Sequence, residues 1–273
     1  MGGAGAAPLL RLPYRRPLLA GVLLGRYKRF LADVRLEKSG EVVTAHCVNT
    51  GRMEGLTRPG RRVWLSHDPE RKAKLKYTWE ITEIDGRLVG TNTAMPNRIV
   101  GEMLAQGLLR GLSGAEEVRP EKSYGNGSRM DFWVLKGGRE NYIEVKNCHL
   151  VYPDNRGYFP DSPSARAARH VEELMEAAGR GVRAWVVCTV QRPDVVAVRP
   201  SDAHDPVFAR AAREAAAAGV RFVGLQVRPA PECLVVERRI PVDLRPYPTE
   251  RQERWRAELR AQAPAWFREA PER

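Results

Sequence analysis

The sequence predicts a two-part α/β chain in which a small β-barrel precedes an α/β sandwich. Strand-like patterns, roughly five of them, lie between Pro17 and Thr93, separated by turns that contain glycine or proline. At Met95-Pro96-Asn97 the apolar period changes from that of a strand to that of a helix. Helices and strand patterns then alternate as far as Leu244, which is the order expected of an α/β sandwich.

The N-terminal part has the pattern of a small antiparallel barrel. Residues 1–12 are rich in glycine and alanine, and we expect them to form a flexible tail. Apolar residues alternate from Phe30 to Leu36, and Asp85-Gly86 is a hairpin turn between the last two strand patterns. An OB-like barrel over residues 13–94 is one such architecture, and it commonly offers a basic face to nucleic acid.

Residues 70–79 interleave cationic and aromatic side chains. In one interpretation the cations follow a phosphate backbone while an aromatic ring stacks on a base. The alternative is a solvated loop whose aromatic side chains belong to the core. The cations are Lys72, Lys74 and Lys76, and the aromatic candidates are Tyr77 and Trp79.

The charge of the chain favours a polyanionic partner. Lys and Arg number 45 against 33 Asp and Glu, which gives a formal charge of +12. Residues 1–95 hold 17 basic and 9 acidic side chains, whereas residues 96–273 hold 28 and 24. Because basic proteins bind nucleic acid by releasing its counterions, this excess predicts a nucleic-acid partner. The alternative is a composition effect, since the chain is rich in Arg and Ala.

Cysteine usage and apolar runs bound the location of the protein. The four cysteines are far apart and form no Cys-x-x-Cys pair, which argues against a zinc site or a disulfide framework. Reduced thiols indicate the cytoplasm. The apolar run 17–24 follows Arg15-Arg16 and imitates a signal peptide, but a basic run follows it directly. We therefore interpret it as a buried strand and expect no membrane partner.

The second part begins with a helix and contains a second one with a cationic face. Asn97 is a good N-cap for the first helix, which also carries Glu102. The second helix opens at residues 161–163 and closes at Gly179. Its Arg166 and His170, one turn apart, could present cations to a phosphate or form a solvated surface.

The remaining patterns complete the sandwich and add an extension. Residues 183–190 have the continuous apolar run of a buried parallel strand. A helix is expected from Asp205-Pro206 to Gly219, followed by strands at 220–227 and 233–240. Residues 246–273 predict a C-terminal helical extension that docks on the body or on a partner.

The centre of the second part is a predicted β-hairpin. Gly137-Gly138 supply the positive φ angles that a two-residue turn needs. Symmetric pairing about this turn places Asp131 opposite Glu144, with Lys146 on the same face. The opposite, core-facing set is Met130, Phe132, Val134, Ile143 and Val145.

This register predicts metal-assisted phosphodiester chemistry. Opposed carboxylates repel each other, and Mg²⁺ or Mn²⁺ bound by Asp131 and Glu144 would compensate that repulsion. The metal would polarise a phosphate and activate a water, while Lys146 would orient the water or stabilise developing charge. The alternative is a solvated hairpin face with ordinary charges, and a bulge near Asp131 would turn its carboxylate towards the core.

Between about Pro17 and Leu244 the chain resembles the sugar fermentation stimulation protein A family. The motifs that carry the resemblance include Arg26–Val34, His46–Met53, Ser128–Phe132, Tyr142–Asn147 and Gly157–Asp161. The resemblance implies an OB-like domain and, over residues 95–245, a PD-(D/E)xK nuclease-like α/β domain with a mixed central sheet. It also implies non-specific DNA binding, with RNA as an alternative partner, and a regulatory link to sugar (maltose) metabolism.

Carried over by position, the resemblance makes Asp131, Glu144 and Lys146 the candidate catalytic residues, with Glu102 as a fourth acidic group. Further residues are assigned to nucleic-acid binding beside the lysine and aromatic run. These are Asn49, Arg129, Arg166, Arg169 and His170. A nuclease and a non-catalytic DNA-binding regulator both stay open, because a nuclease-like domain can keep such residues for binding alone. The oligomeric state also stays open.

Overall fold

The structure is a computed structural model and describes residues 7–53, 55–124 and 128–262. The first elements along the chain are β1 (Leu10–Pro13), β2 (Leu19–Tyr27), β3 (Leu31–Leu36), β4 (Val42–His46), β5 (Arg62–His67), β6 (Tyr77–Ile84), β7 (Arg87–Gly90) and α1 (Met95–Ala105). They are followed by β8 (Glu117–Pro120), β9 (Ser123–Tyr124), β10 (Ser128–Arg129), β11 (Phe132–Lys136), β12 (Arg139–Cys148), β13 (Leu150–Val151) and β14 (Arg156–Phe159). The last group is α2 (Ala165–Gly179), β15 (Arg183–Val190), β16 (Ala197–Pro200), α3 (Pro206–Ala217), β17 (Arg221–Pro229), β18 (Cys233–Ile240) and α4 (Glu250–Gln262).

Strands β2 to β6 form a closed five-stranded barrel. The strand order is β4-β3-β2-β5-β6, and a short parallel pairing of β4 with β6 closes the ring. Strand β7 pairs only with the outer edge of β6. Fully buried residues such as Leu23, Val34, Leu65 and Trp79 fill the interior. The prediction of a small OB-like barrel is confirmed.

The second part is built on a seven-stranded mixed sheet, as predicted. Its order is β1-β18-β17-β15-β12-β11-β8. Strands β12, β15 and β17 are mutually parallel, and each strand on either side of them, β18 then β1 and β11 then β8, pairs antiparallel with the strand before it in the sheet. Helix α1 packs on one face of this sheet, while α2 and α3 pack on the other. The three layers enclose two apolar cores, one on each side of the sheet.

The prediction that residues 1–12 form a flexible tail is wrong for its last residues. Leu10–Pro13 forms the edge strand β1, which pairs with β18 so that Leu10 lies opposite Val236. Leu10 and Leu12 are each 6% exposed and pack in the α1-side core. The reason is that this short Leu-x-Leu pattern can bury itself only against the far end of the chain. Residues 1–6 of the expected tail lie outside the described residues.

The hairpin has the predicted register. Phe132 lies opposite Ile143, and Gly137 and Gly138 have φ angles of 57° and 66°. Alternation along β12 therefore turns Ile143 and Val145 towards the α1-side core.

The helix starts differ in part from expectation. Helix α1 begins at Met95 with Ala94 in the N-cap position, so Asn97 is not its N-cap. Helix α2 begins at Ala165, where the side chain of Ser164 accepts a hydrogen bond from the Ala167 amide. The start of α3 agrees with the prediction, because Asp205 caps it by accepting from the Phe208 amide.

The C-terminal helix docks on the body of the protein. Strands β13, β14 and β16 form a small sheet beside it. Trp255 of α4 stacks on Tyr152 with the ring centroids 5.8 Å apart. The Tyr247 hydroxyl, just before α4, donates a 2.6 Å hydrogen bond to the Pro200 carbonyl. Residues 263–273 of the predicted extension lie outside the described residues. No helix in the described ranges is long and apolar enough to cross a membrane.

Direct contacts join the barrel to the sheet domain. The Gly90 amide donates to the Gln191 carbonyl at 2.9 Å, and the Gln191 side chain donates to the Asn92 carbonyl at 3.3 Å. A Cβ at Gly90 would lie 2.5 Å from the Gln191 side chain, so only glycine allows this approach. The barrel is therefore held against the end of β15.

Candidate active site

Asp131 lies immediately before β11, one residue outside the paired ladder. Its Oδ2 accepts a 2.7 Å hydrogen bond from the Val145 amide, and its Oδ1 accepts a 2.8 Å bond from Asn97 Nδ2 of α1. Burial, followed by the negative charge of Glu144, raises the pKa of the Asp131 carboxyl. Two anionic groups therefore lie close enough to oppose each other's ionisation.

Glu144 and Lys146 form a buried ion pair on the α2 side of the sheet. Lys146 Nζ donates to Glu144 Oε1 at 2.6 Å, and both side chains are less than a tenth exposed. They share this face because alternate residues of β12 point the same way. Burial alone would raise the pKa of Glu144, but the hydrogen bonds from His170 and Lys146 outweigh burial and lower it.

His170 of α2 also contacts the Glu144 carboxylate. Its Nδ1 lies 2.6 Å from Glu144 Oε1, and the side chain is 8% exposed. Arg166 Nε donates to His170 Nε2 at 3.4 Å. Nδ1 is thus the ring nitrogen that faces the Glu144 carboxylate, and Nε2 faces Arg166. The predicted one-turn spacing of Arg166 and His170 is present, but His170 binds a carboxylate instead of facing solvent.

The three predicted catalytic residues come together, although Asp131 does not share the α2-side face. Its contacts are with α1 and the β12 backbone, whereas Glu144 and Lys146 face α2. Strict alternation of faces applies only within the paired strands, and Asp131 precedes β11. Met130 differs from expectation for the same reason, because it lines a cleft with Glu144.

That cleft is shallow and opens beside Glu144. It is lined by Arg129, Met130, Tyr142, Glu144, His170, Glu173 and Leu174. Arg129 is exposed and lies 3.7 Å from Glu121, and Arg169 is exposed on α2, 3.7 Å from Glu173. Together with the exposed Arg166, these side chains form a cationic rim around the acidic centre.

Glu102 does not join the acidic centre. It accepts a 2.6 Å hydrogen bond from Gln106 on the exposed side of α1. Asn97 of the same helix contacts Asp131 instead. Five residues separate the two, which places them about 140° apart around the helix axis. The side chain of α1 that contacts Asp131 is thus Asn97, for which the sequence predicts a cap, and the hydrogen bond of Glu102 is made within α1.

Two of the predicted nucleic-acid contacts belong to the barrel interior or its wall. Trp79 is fully buried and its Nε1 donates to the Ile81 carbonyl at 3.0 Å, so it cannot stack on a base. Tyr77 is stacked on His67 with centroids 4.4 Å apart and an angle of 13°. The alternative interpretation of this run, with core aromatics, is the one that the structure bears out for Trp79.

The cations of the same run differ in exposure. Lys72 and Lys74 are exposed in the loop between β5 and β6, whereas half-buried Lys76 donates to the Arg71 carbonyl. Asn49 is 4% exposed, and its Oδ1 accepts a 2.9 Å bond from the Gly51 amide. Asn49 thus shapes its own loop, while Lys72 and Lys74 remain accessible to a phosphate backbone.

Comparison with known proteins agrees with this architecture. Family models described as the SfsA N-terminal OB domain and the sugar fermentation stimulation protein RE domain match residues 24–91 and 94–233. The sugar fermentation stimulation protein homologue of Thioalkalivibrio sulfidiphilus is 46% identical over 234 residues, covering 85% of this chain and 98% of that protein. The homologue of Geobacter sulfurreducens is 44% identical over 227 residues, covering 83% and 97%.

The chain belongs to the sugar fermentation stimulation protein (SfsA) family. Among solved structures, Pyrococcus furiosus SfsA in complex with Ca²⁺ matches with a TM-score of 0.78 and 26% identity, covering 87% of this chain and all of that one. The resemblance predicted from the motifs is therefore confirmed. The OB domain of the family suggests nucleic-acid binding.

In this SfsA-family chain another acidic residue, Asp161, lies just before α2. Its Oδ2 is 3.3 Å from His149 Nε2, at ion-pair distance but outside hydrogen-bond geometry. A Cβ on Gly51 of the barrel would lie 3.0 Å from the same carboxylate. Burial alone would raise the pKa of Asp161, but His149 outweighs burial and lowers it to about 2.

We expect Asp161→Asn to destabilise the protein in a pH-dependent way. A carboxyl whose folded pKa lies below its unfolded value stabilises the fold above the unfolded pKa, and this contribution disappears as pH falls through the folded pKa. The variant should therefore lose roughly 1–2 kcal/mol of unfolding free energy at pH 6, and the difference should vanish between about pH 4 and pH 2. Urea unfolding across this pH range measures it.

Glu176→Gln is the matched control, because Glu176 is an exposed acid of the same helix region. Its unfolding free energy should follow that of the wild type at every pH. An equal loss of stability for Asp161→Asn at pH 2 and at pH 6 would contradict a role for the ionised carboxylate.

Proposed function

We propose that the chain is a DNA-binding protein with a divalent-metal-dependent phosphodiester hydrolase site at Asp131, Glu144 and Lys146. The observation that carries the proposal is the buried Glu144–Lys146 pair beside Asp131, whose pKa is raised by burial and by the charge of Glu144. A divalent cation between two such carboxylates would relieve their repulsion.

The donor set suits a hard cation that keeps part of its water shell. No group of three or more His, Cys, Asp or Glu side chains is arranged for a metal within the described ranges. Mg²⁺ is commonly held by one or two carboxylates, with waters and substrate phosphates completing its shell. Asp131 and Glu144 contact different helices, but the charge of Glu144 acts on Asp131, and together they would hold Mg²⁺ or Mn²⁺. Ca²⁺, named with the P. furiosus relative, also prefers oxygen ligands.

A bound cation would supply positive charge that polarises the scissile phosphate. The protein's own side chains would do the rest. Lys146, positioned by Glu144, would donate to the attacking water or to a phosphoryl oxygen on which negative charge develops. His170 orients the Glu144 carboxylate, and Arg166 in turn orients His170. The exposed cations around the cleft would attract the phosphate backbone without reading sequence.

The test is a cleavage assay with single-stranded, duplex and branched DNA and with RNA. We expect cleavage of at least one substrate in Mg²⁺ or Mn²⁺ and none in EDTA. Each reaction is paired with a binding measurement in the same buffer. If every substrate stays intact in all metals while DNA is retained, the hydrolase proposal fails.

That outcome would support a second function, a non-catalytic DNA-binding regulator linked to sugar (maltose) metabolism. The observation in its favour is that Lys146 and His170 already satisfy Glu144 Oε1, so the acidic centre is stabilised without an added cation. Its binding should weaken as salt rises, and an affinity independent of salt would contradict it. All four cysteines are free, in keeping with action in the cytoplasm under either function.

A further inference from the structure

The turn between β2 and β3 exposes an aromatic ring next to two cationic side chains. We call Lys28, Arg29 and Phe30 the Phe30 turn. Phe30 is 45% exposed, and the two cations before it are exposed as well. Elsewhere in the described barrel the aromatic side chains are buried or half-buried, as Trp79 and Tyr77 are. The Phe30 turn is thus where the barrel offers an aromatic face to a ligand.

The turn is held in a conformation that its residues do not favour. Lys28 and Arg29 have φ angles of 47° and 60°, in the left-handed region that side chains with a Cβ rarely adopt. Three hydrogen bonds fix it. The Phe30 amide donates to the Lys28 carbonyl at 2.8 Å, the Cys47 amide to the Phe30 carbonyl at 2.8 Å, and Arg26 Nε to the Arg29 carbonyl at 3.0 Å. Backbone strain held in this way is characteristic of binding and catalytic sites.

A chain of contacts connects the Phe30 turn to the acidic centre. The Arg26 guanidinium that holds the turn also donates to the carbonyls of Asn49 and Gly51, at 2.9 and 3.0 Å. Gly51 in turn lies against the Asp161 carboxylate. Asp161 leads directly into α2, whose His170 contacts Glu144. The Phe30 turn and the acidic centre are therefore parts of one connected assembly.

We propose that the Phe30 turn binds single-stranded nucleic acid, with Phe30 stacked on an unpaired base and Lys28 and Arg29 on the adjacent phosphates. An aromatic ring can stack only on a base whose face is open, which a duplex does not offer along its length. The cations complement the phosphates, and the pre-set turn limits the entropy lost on binding. The proposal rests on the nucleic-acid binding proposed above but not on cleavage.

The test is fluorescence anisotropy with a labelled single strand and with its duplex, in EDTA, so that binding is measured without hydrolysis. Phe30→Ala should weaken single-strand binding about 5- to 150-fold, the range typical of one lost stacking contact. Duplex binding and the dependence of log Kd on log salt should stay close to wild type. Lys28→Ala/Arg29→Ala should weaken both and lower the salt slope for the single strand by about 0.7 per lost phosphate contact.

The matched control is Leu24→Ala, which removes an exposed apolar side chain of the neighbouring strand β2, 37% exposed, and should bind like wild type. Phe30→Trp should retain binding because it keeps a stacking ring. A strand carrying 5-iododeoxyuridine should crosslink to Phe30 of the unaltered protein, as mapped by mass spectrometry. Each of these results supports the proposal.

The proposal is overturned if Phe30→Ala binds the single strand as Leu24→Ala does, if Phe30→Trp is as weak as Phe30→Ala, or if the crosslink maps elsewhere. It is also overturned if the wild type binds no nucleic acid. If the wild type cuts no substrate while Phe30→Ala loses single-strand affinity, the hydrolase proposal fails and the single-strand binding proposal is supported.

Discussion

Asp131→Asn is expected to lower metal-dependent phosphodiester cleavage about a hundredfold to a thousandfold, the scale seen when one charge-stabilising group is removed from a reaction centre. The neutral amide no longer offers an anionic oxygen to a cation beside Glu144. Single-turnover cleavage at saturating protein measures the effect on the chemical step, separately from DNA binding.

The same substitution should leave the fold intact and raise its thermal stability at neutral pH. The pKa of Asp131 is raised by burial and then by the charge of Glu144, so ionising this carboxyl costs folding free energy above its unfolded pKa. An uncharged amide removes that cost, and Asn97 can turn its own amide to keep the hydrogen bond. Thermal unfolding followed by circular dichroism tests this.

Glu172→Gln serves as the control, because it neutralises an exposed acid of α2. It should change neither cleavage nor thermal stability. Cleavage by Asp131→Asn at the wild-type rate, with the same metal, would show that Asp131 is not a catalytic residue.

Trp79→Ala is expected to lower the free energy of unfolding by about 3–5 kcal/mol. The ring is fully buried in the barrel core, and the substitution leaves a large cavity and removes the hydrogen bond to the Ile81 carbonyl. Urea denaturation followed by tryptophan fluorescence and circular dichroism measures the loss. Any accompanying loss of DNA binding should disappear under conditions that keep the variant folded.

Phe30→Ala is the contrasting variant in the same barrel. Because Phe30 is exposed, its removal should change the unfolding free energy by no more than about 0.5 kcal/mol. If the Trp79→Ala protein has wild-type stability but binds a single strand more weakly, Trp79 would be a base-stacking residue. That result would contradict its placement in the core.

Features that depend on residues close together in the chain can be predicted from the sequence, whereas contacts between distant residues cannot. The hairpin register depends on the adjacent Gly137-Gly138 turn, so Phe132 and Ile143 could be paired from local chemistry alone. The apolar period predicts helix α1, but it does not say what the polar side of the helix contacts. The sequence therefore predicts a cap at Asn97, which binds Asp131, and an acidic site residue at Glu102, which binds Gln106 of its own helix.

The alternation of apolar and polar residues along a strand does not decide two further features of the fold. It could not determine whether Trp79 lies inside or outside the barrel, because that depends on how the sheet closes through the pairing of β4 with β6. Nor could it assign Leu10–Pro13 to a strand, because the partner β18 is at the other end of the chain.

The sequence by itself determined the two-part architecture, the family and the hairpin register, because these depend on local periodicity, turn chemistry and ordered motifs. It also predicts Asp131, Glu144 and Lys146 as a catalytic set, which stays a prediction. Only the tertiary structure decided that His170 binds Glu144, that Asn97 binds Asp131 and that Phe30 is the exposed barrel aromatic. The physical reason is that these relations arise between elements far apart in the chain, where packing chooses which of several chemically suitable side chains meet.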